Sequence, residues 1–328
     1  MAHPLPRVGI FNLLIPIVIP TIRMKTSMVS IGTHRLSYSI SGTLRGPDDL
    51  LVVIIQGSGD VVSSYVALEP QVSPFTQILL YDRSGLGRSE SGPCRITAAT
   101  SAAELYRLLE VIQQHGPIIL VAHSYGGLVA REFLHLHPDR VCGMVLCDTA
   151  TETHDSFFRV PDPNIAAVLG NLKFSHVTGL RETTVLTRDQ WRQRAIDMAR
   201  GVTTEPASVV EVCQALREKR QYERQALGDK PLSVVLCKSI TEYERIYEKG
   251  IEAGNGTQEQ QMAFRKTLDG WDAAAREMAE DQLQLSSKTR FVYLPDCGHH
   301  IHLIRPEIIA EEIRWVLRMA QNKDTQKL

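Results

Sequence analysis

The chain has 328 residues, 43% of them hydrophobic and 22% charged, enough for one large globular domain, or one domain with a long insertion, and a full core. A formal net charge of −1 gives no reason to expect nucleic acid or a polyacidic partner. The six cysteines include no Cys-x-x-Cys pair, which argues against zinc and redox motifs; Cys142, Cys147 and Cys237 lie in runs that read as buried strands, so reduced thiols and a cytoplasmic compartment are expected.

In chain order, the first segment, 1–26, contains a nearly unbroken apolar run from Val8 to Ile22 between Arg7 and Arg23. At about 15 residues it is shorter than the roughly 20 needed to cross a bilayer as a helix, and Pro16 and Pro20 interrupt it. No Ala-x-Ala-like cleavage site follows. Three readings stay open: packing on the domain, contact with a membrane surface, or a cover over a site. Ser27 to Ile40 reads as a hairpin around Gly32-Thr33. From there strands and helices alternate. Leu50 to Ile55 is a continuous apolar run, as expected for a strand buried on both faces, and Gln77 to Tyr81, Pro117 to Ala122, Val141 to Cys147, Leu232 to Cys237 and Arg290 to Leu294 read as five further strands. Thr97 to His115 carries a helical stripe at Leu105, Leu108, Leu109 and Ile112. Gly126 to His137 reads as a helix stopped by Pro138, and Pro306 opens a last amphipathic helix. The rhythm predicts an α/β fold: a mostly parallel central sheet with helices on both faces. It breaks over 150–228, a charged, helix-like stretch too long for a plain connection and expected to be an inserted helical cap. The core is then 27–149 with 229–322, and 323–328 is a tail. Gln326-Lys327-Leu328 is a poor relative of a peroxisomal tripeptide, so a peroxisomal or membrane-associated location is only the alternative. Asn255-Gly256-Thr257 is a lone sequon.

The run that carries chemistry is Ala122-His123-Ser124-Tyr125-Gly126, between an apolar strand and a helix start. Small residues at 122 and 126 let strand and helix approach, and the serine hydroxyl is raised at the apex of a strained turn. In the turn's usual pattern the first small residue is glycine. Gly298-His299-His300-Ile301-His302 follows the last strand. His299 is the chosen general base because it directly follows Gly298, while His302 is expected to line a pocket or cap the next helix. Without a carboxylate or cysteine at ligand spacing the cluster is not read as a metal site. His123 is read as a structural filler of the turn.

With these motifs in place the sequence resembles the α/β-hydrolase superfamily over about 27–150 and 230–320. Gln56-Gly57-Ser58-Gly59 resembles its oxyanion loop, where His-Gly is more usual. Asp82-Arg83-Ser84-Gly85-Leu86-Gly87-Arg88-Ser89 resembles its strand-four turn. Residues 122–126 resemble its nucleophile elbow, and 298–302 with Arg305-Pro306-Glu307 its histidine loop. The resemblance implies a serine hydrolase acting on an ester, thioester or lactone of a small apolar metabolite, with a secondary-metabolite ester among the plausible substrates. Ser124 would be the nucleophile and His299 its base. The amides of Tyr125 and Ser58 would be the oxyanion donors, and Gln56 and Gly57 would join His302 in binding substrate. The acid is open. Family members commonly place it after the strand that here is Leu232 to Cys237, yet Ser239 to Thr241 holds no carboxylate. Asp148, after Val141 to Cys147, is preferred, with Glu242 the alternative; Asp148 could instead cap a helix. Asp82 and Arg83 read as structural, with Arg83 a candidate to hold the histidine loop. A serine, rather than an aspartate, at the elbow argues against epoxide and haloalkane chemistry. No Gly-x-Gly-x-x-Gly or phosphate-loop pattern occurs, so no cofactor is expected. The rivals are a ligand-binding member without turnover and a non-hydrolytic member, a cyclase or C–C-cleaving enzyme, on the same fold. Oligomeric state is not readable.

Overall fold

The computed structural model of the chain describes residues 26–42, 50–201 and 205–321. The apolar run 8–22 and the tail 323–328 lie outside the described residues. Eight strands, β1 (Ser27–Ser30), β2 (Arg35–Ser41), β3 (Leu51–Ile55), β4 (Gln77–Tyr81), β5 (Ile118–His123), β6 (Val141–Cys147), β7 (Leu232–Cys237) and β8 (Thr289–Leu294), form one sheet in the order β1-β2-β4-β3-β5-β6-β7-β8. β1 and β2 are the expected hairpin, β2 runs antiparallel to β4, and every later pair is parallel.

β3, β5 and β7 are buried at every residue, which is why they read as continuous apolar runs instead of alternating ones. Alternate residues still sort to two faces. Leu51, Val53 and Ile55 join a core with the helices Ala98–Val111, Gly126–Leu136 and Val209–Glu218, while Val52 and Ile54 face the last helix, Pro306–Gln321. Leu105, Leu108 and Leu109 are wholly buried, each contributing about 1.5–3 kcal/mol. Their helix starts on a Thr97–Thr100 capping box and ends earlier than the periodicity predicts, because Gln113 turns into the left-handed region at φ 59°. No disulfide joins the six cysteines, all of which lie among the described residues; Cys147, Cys213, Cys237 and Cys297 are buried.

Between β6 and β7 the chain forms short helices, among them His154–Phe157, Pro163–Leu169 and Arg188–Met198, before Val209–Glu218. Two helices between β7 and β8, Ile240–Glu252 and Gln258–Asp281, pack against Pro163–Leu169. Val168, Ile240, Ile246, Phe264, Leu268 and Trp271 form their common core. So stretches on both sides of β7 build one helical layer above the sheet's C-terminal edge. That layer is anchored to the Gly126–Leu136 helix by Arg131, which is fully buried. Its guanidinium donates to Glu152 (2.9 Å for the Nη2 bond) and to Gln221 Oε1 (2.8 Å), and lies 4.2 Å from the Tyr222 ring centroid. In the lone sequon, the Asn255 side-chain amide donates to Leu169 O at 3.2 Å and Thr257 caps the following helix.

Candidate active site

Parallel register delivers the site. His123 of β5 pairs with Cys147 of β6, so the next residues, Ser124 and Asp148, leave the sheet side by side at its C-terminal edge. Both adopt the left-handed backbone that side chains disfavour, Ser124 at φ 53° and Asp148 at φ 46°. The Ser124 turn is pinned on three sides. Its N–H donates to Cys147 O (3.3 Å), and its carbonyl accepts from Gly127 N and Ala150 N (both 3.0 Å). Gly126 is obligatory, because a Cβ there would sit 2.2 Å from Ile55 O.

His299 arrives on the loop after β8. Its Nδ1 lies 2.6 Å from Asp148 Oδ2, while Asp148 Oδ1 accepts the Cys237 N–H at 3.1 Å. A carboxylate at Nδ1 fixes the proton there and leaves Nε2 as the acceptor of the neutral ring. Burial pulls the His299 pKa down, but the hydrogen bond and charge of Asp148, helped by Glu242 and Asp60, more than offset this, and the net shift is upward from 6.5. The His299 backbone is clamped as well. His123 Nε2–H donates to His299 O (2.8 Å), and Glu242 Oε2 accepts His299 N–H (3.0 Å). Of the two candidate carboxylates, Asp148 therefore meets the imidazole and Glu242 meets the peptide of the same residue. Asp148 caps no helix: the helix His154–Phe157 follows Thr153, which makes no side-chain cap bond.

The 56–59 loop is held from behind. Arg83 Nη1 and Nη2 donate to the carbonyls of Gln56 and Gly57, both at 2.7 Å. Its Nε donates to Glu205 Oε1 at 2.6 Å, and Glu205 Oε2 accepts the Gly59 N–H at 2.8 Å. Arg83 and Glu205 are 1% and 0% exposed, so this pair has no solvent to screen it. Arg83 thus grips the loop before the nucleophile, not the histidine loop for which the sequence made it a candidate. Asp82 accepts the N–H groups of Val62 and Arg88 (2.8 and 3.0 Å), tying its turn to a neighbouring loop. Among the described residues, the N–H groups of Ser58 and Tyr125 donate to no protein acceptor, and both residues line the cavity that holds Ser124 and His299.

That cavity has a volume of about 450 Å³. Its walls are mainly apolar, with Leu128, Phe158, Ile165, Leu169, Ile246 and Trp271 prominent, and both helical stretches contribute. Gln56, Gly57 and His302, expected to bind substrate, are not among its lining residues. The Gln56 side chain is buried and donates to Tyr81 O (2.6 Å), and the Gly57 carbonyl faces Arg83. His302 is wholly buried on the far side of His123; it stacks on Tyr65 (centroids 4.3 Å apart) and lies 3.1 Å from Asp60 Oδ2. A histidine that begins a helix can point to either side of it, and packing on Tyr65 decided this one.

Asp60, His123 and His302 place one carboxylate and two imidazoles with ligand atoms within 4.8 Å of one another, supplying the acid that the sequence spacing lacked. Part of this set is engaged, while both ring nitrogens of His302 make no hydrogen bond among the described residues. Asp60 accepts from Ser64 Oγ and Val61 N and lies 3.7 Å from Arg194, and His123 donates to His299 O. Through His123 the cluster is tied to the histidine loop. Glu205 and Asp60 escaped the sequence reading, and Glu242 entered it only as the alternative acid, because no spacing links them to the motifs they support.

Residues 52–312 match the model of the Alpha/beta hydrolase family, and the chain belongs to that family. The "Probable transporter efuK" of Hormonema carpetanum is 31% identical over 311 residues; the match covers 92% of this chain but only 44% of that protein. An "AB hydrolase superfamily protein" of Gibberella zeae is 26% identical over 307 residues, 88% of this chain and 92% of that one. A thermophilic esterase from Thermogutta terrifontis superposes with a TM-score of 0.54 over 90% of this chain and 99% of its own, at 20% identity, a likeness of fold. Among the described residues, no helix is long and apolar enough to cross a membrane.

Proposed function

We propose that this chain is a serine hydrolase that cleaves an ester, thioester or lactone of a small apolar molecule through a Ser124 acyl-enzyme. The observation that carries this reading is the 2.6 Å contact of Asp148 with His299 Nδ1, in the cavity that also holds Ser124. In this reading the Ser124 hydroxyl attacks the scissile carbonyl while His299 Nε2 takes its proton. The carbonyl oxygen becomes an oxyanion that accepts from the N–H groups of Tyr125 and Ser58, each worth roughly 3–4 kcal/mol. His299 then protonates the leaving group, and a water molecule, activated by the same ring, releases the acid. Asp148 holds the required tautomer and stabilises the imidazolium. The apolar walls favour a hydrocarbon-rich substrate. A carboxylate beside His299 also favours turnover over binding alone.

A fluorophosphonate probe is expected to label the wild type and not Ser124→Ala, and hydrolysis in oxygen-18 water is expected to put solvent oxygen into the acid product. Labelling that persists in Ser124→Ala, or product without solvent oxygen, contradicts the reading. The pH profile gives a second check. His299 must be neutral to accept a proton, and its pKa is raised, so kcat/KM is expected to fall on the acid side with a midpoint above 6.5. Asp148→Asn, which removes the main upward influence, is expected to move that limb to lower pH.

A further inference from the structure

The walls of the cavity carry one half-buried imidazole with no partner among the described residues. Most polar side chains that line it are engaged within the protein. Thr149 donates to Gln282 Oε1 (2.5 Å), Gln282 donates to Met278 O (3.2 Å), and Ser239 accepts from Trp271 Nε1 (3.1 Å). Asp162 accepts from the N–H groups of Asn164 and Ile165, and Arg159 is exposed at the rim. His154 differs. Its ring lines the cavity and touches the Phe158 ring (centroids 5.0 Å apart), yet makes no hydrogen bond or ion pair with any described residue. Burial, and next the nearby His299, push its pKa down to about 4, against weaker opposing pulls from Asp155 and Asp148. The ring is therefore neutral near pH 7 and offers one N–H donor and one lone-pair acceptor at the wall of a mainly apolar chamber. A ligand that covers this half-buried ring strips its nitrogens of water, at a cost unless it supplies a hydrogen bond in return. A site shaped this way discriminates strongly for a ligand that supplies the missing hydrogen bond. Tyr243, whose hydroxyl is also without a protein partner among the described residues, lines the same chamber, so a polar oxygen could be met from two walls.

We propose that His154 is a specificity-determining residue that hydrogen-bonds a hydroxyl or carbonyl oxygen carried on the substrate close to the scissile bond. The substrate class is then an oxygenated, otherwise bulky and apolar ester or lactone, and not a plain fatty ester. This rests on the acyl-transfer reading above.

The test uses the full chain and two matched ester pairs. One is a p-nitrophenyl arylalkanoate and its β-hydroxy derivative, with the oxygen on the acyl side. The other is the acetate of an arylalkanol and of its β-hydroxy derivative, with the oxygen on the alcohol side. In at least one pair the wild type is expected to favour the hydroxylated ester by about 10–100-fold in kcat/KM. His154→Phe is expected to bring that ratio close to one, and His154→Gln, which keeps a donor and an acceptor, to restore part of it. Reading a ratio cancels any general loss of activity. Fluorophosphonate labelling of Ser124 in each protein checks the underlying chemistry separately. Labelled proteins in which neither pair is discriminated, or in which the preference survives His154→Phe, overturn the inference alone. An unlabelled wild type overturns the acyl-transfer reading and this inference with it.

Discussion

Asp148→Asn is expected to lower kcat by about 10,000-fold with little change in stability, measured with a p-nitrophenyl ester at a pH well above the His299 pKa. The size follows from how the carboxylate is held. One oxygen, Oδ1, accepts the Cys237 N–H at 3.1 Å, and the other meets His299 Nδ1. In the amide, the oxygen keeps the bond to Cys237, so the NH₂ group must face Nδ1. That reverses the tautomer and puts the ring proton on Nε2, where it blocks proton transfer from Ser124. The negative charge that stabilises the imidazolium is lost at the same time. Glu242→Gln is expected to cost less than about tenfold, because an amide oxygen still accepts the His299 N–H. The opposite ranking of the two variants would transfer the acid's role to Glu242.

Arg83→Met is expected to destabilise the protein by about 3–5 kcal/mol in urea unfolding, since it removes the guanidinium from a buried ion pair with the Glu205 carboxylate. It also strips the carbonyls of Gln56 and Gly57 of their donors, so the loop carrying the Ser58 amide loosens and labelling of Ser124 slows. In the double variant Arg83→Met/Glu205→Gln the buried carboxylate charge is gone and a neutral acceptor remains for Gly59. Part of the stability should return, while slow labelling persists. Full recovery of both by the double variant would mean that Arg83 does no more than neutralise Glu205.

Much of the architecture was legible because the signals are local. A strand buried on both faces is an unbroken apolar run, and all six predicted runs became strands, with Gln77–Tyr81, Val141–Cys147 and Leu232–Cys237 matching residue for residue, although β8, at the sheet's edge, is largely exposed. The Ser124 turn was legible for the same reason: Gly126 is dictated by a close approach to the neighbouring strand end, and the run declares it. Failures came where a side chain meets a partner far along the chain. Arg83 and Glu205 are 122 residues apart, and His154 carries no motif. His302 sits in a recognisable loop, yet its direction was set by Tyr65 and Asp60 from another part of the fold.

From its sequence alone, then, this protein has its strand and helix alternation, its membership of a hydrolase fold, and the turn and loop that carry Ser124 and His299. Each of these is written in residues within a few positions of one another. The tertiary structure alone decided which carboxylate reaches the imidazole, what grips the 56–59 loop, and which helices enclose the cavity. Those outcomes depend on parallel strand register and on buried charge finding a partner across the fold, and neither leaves a local trace.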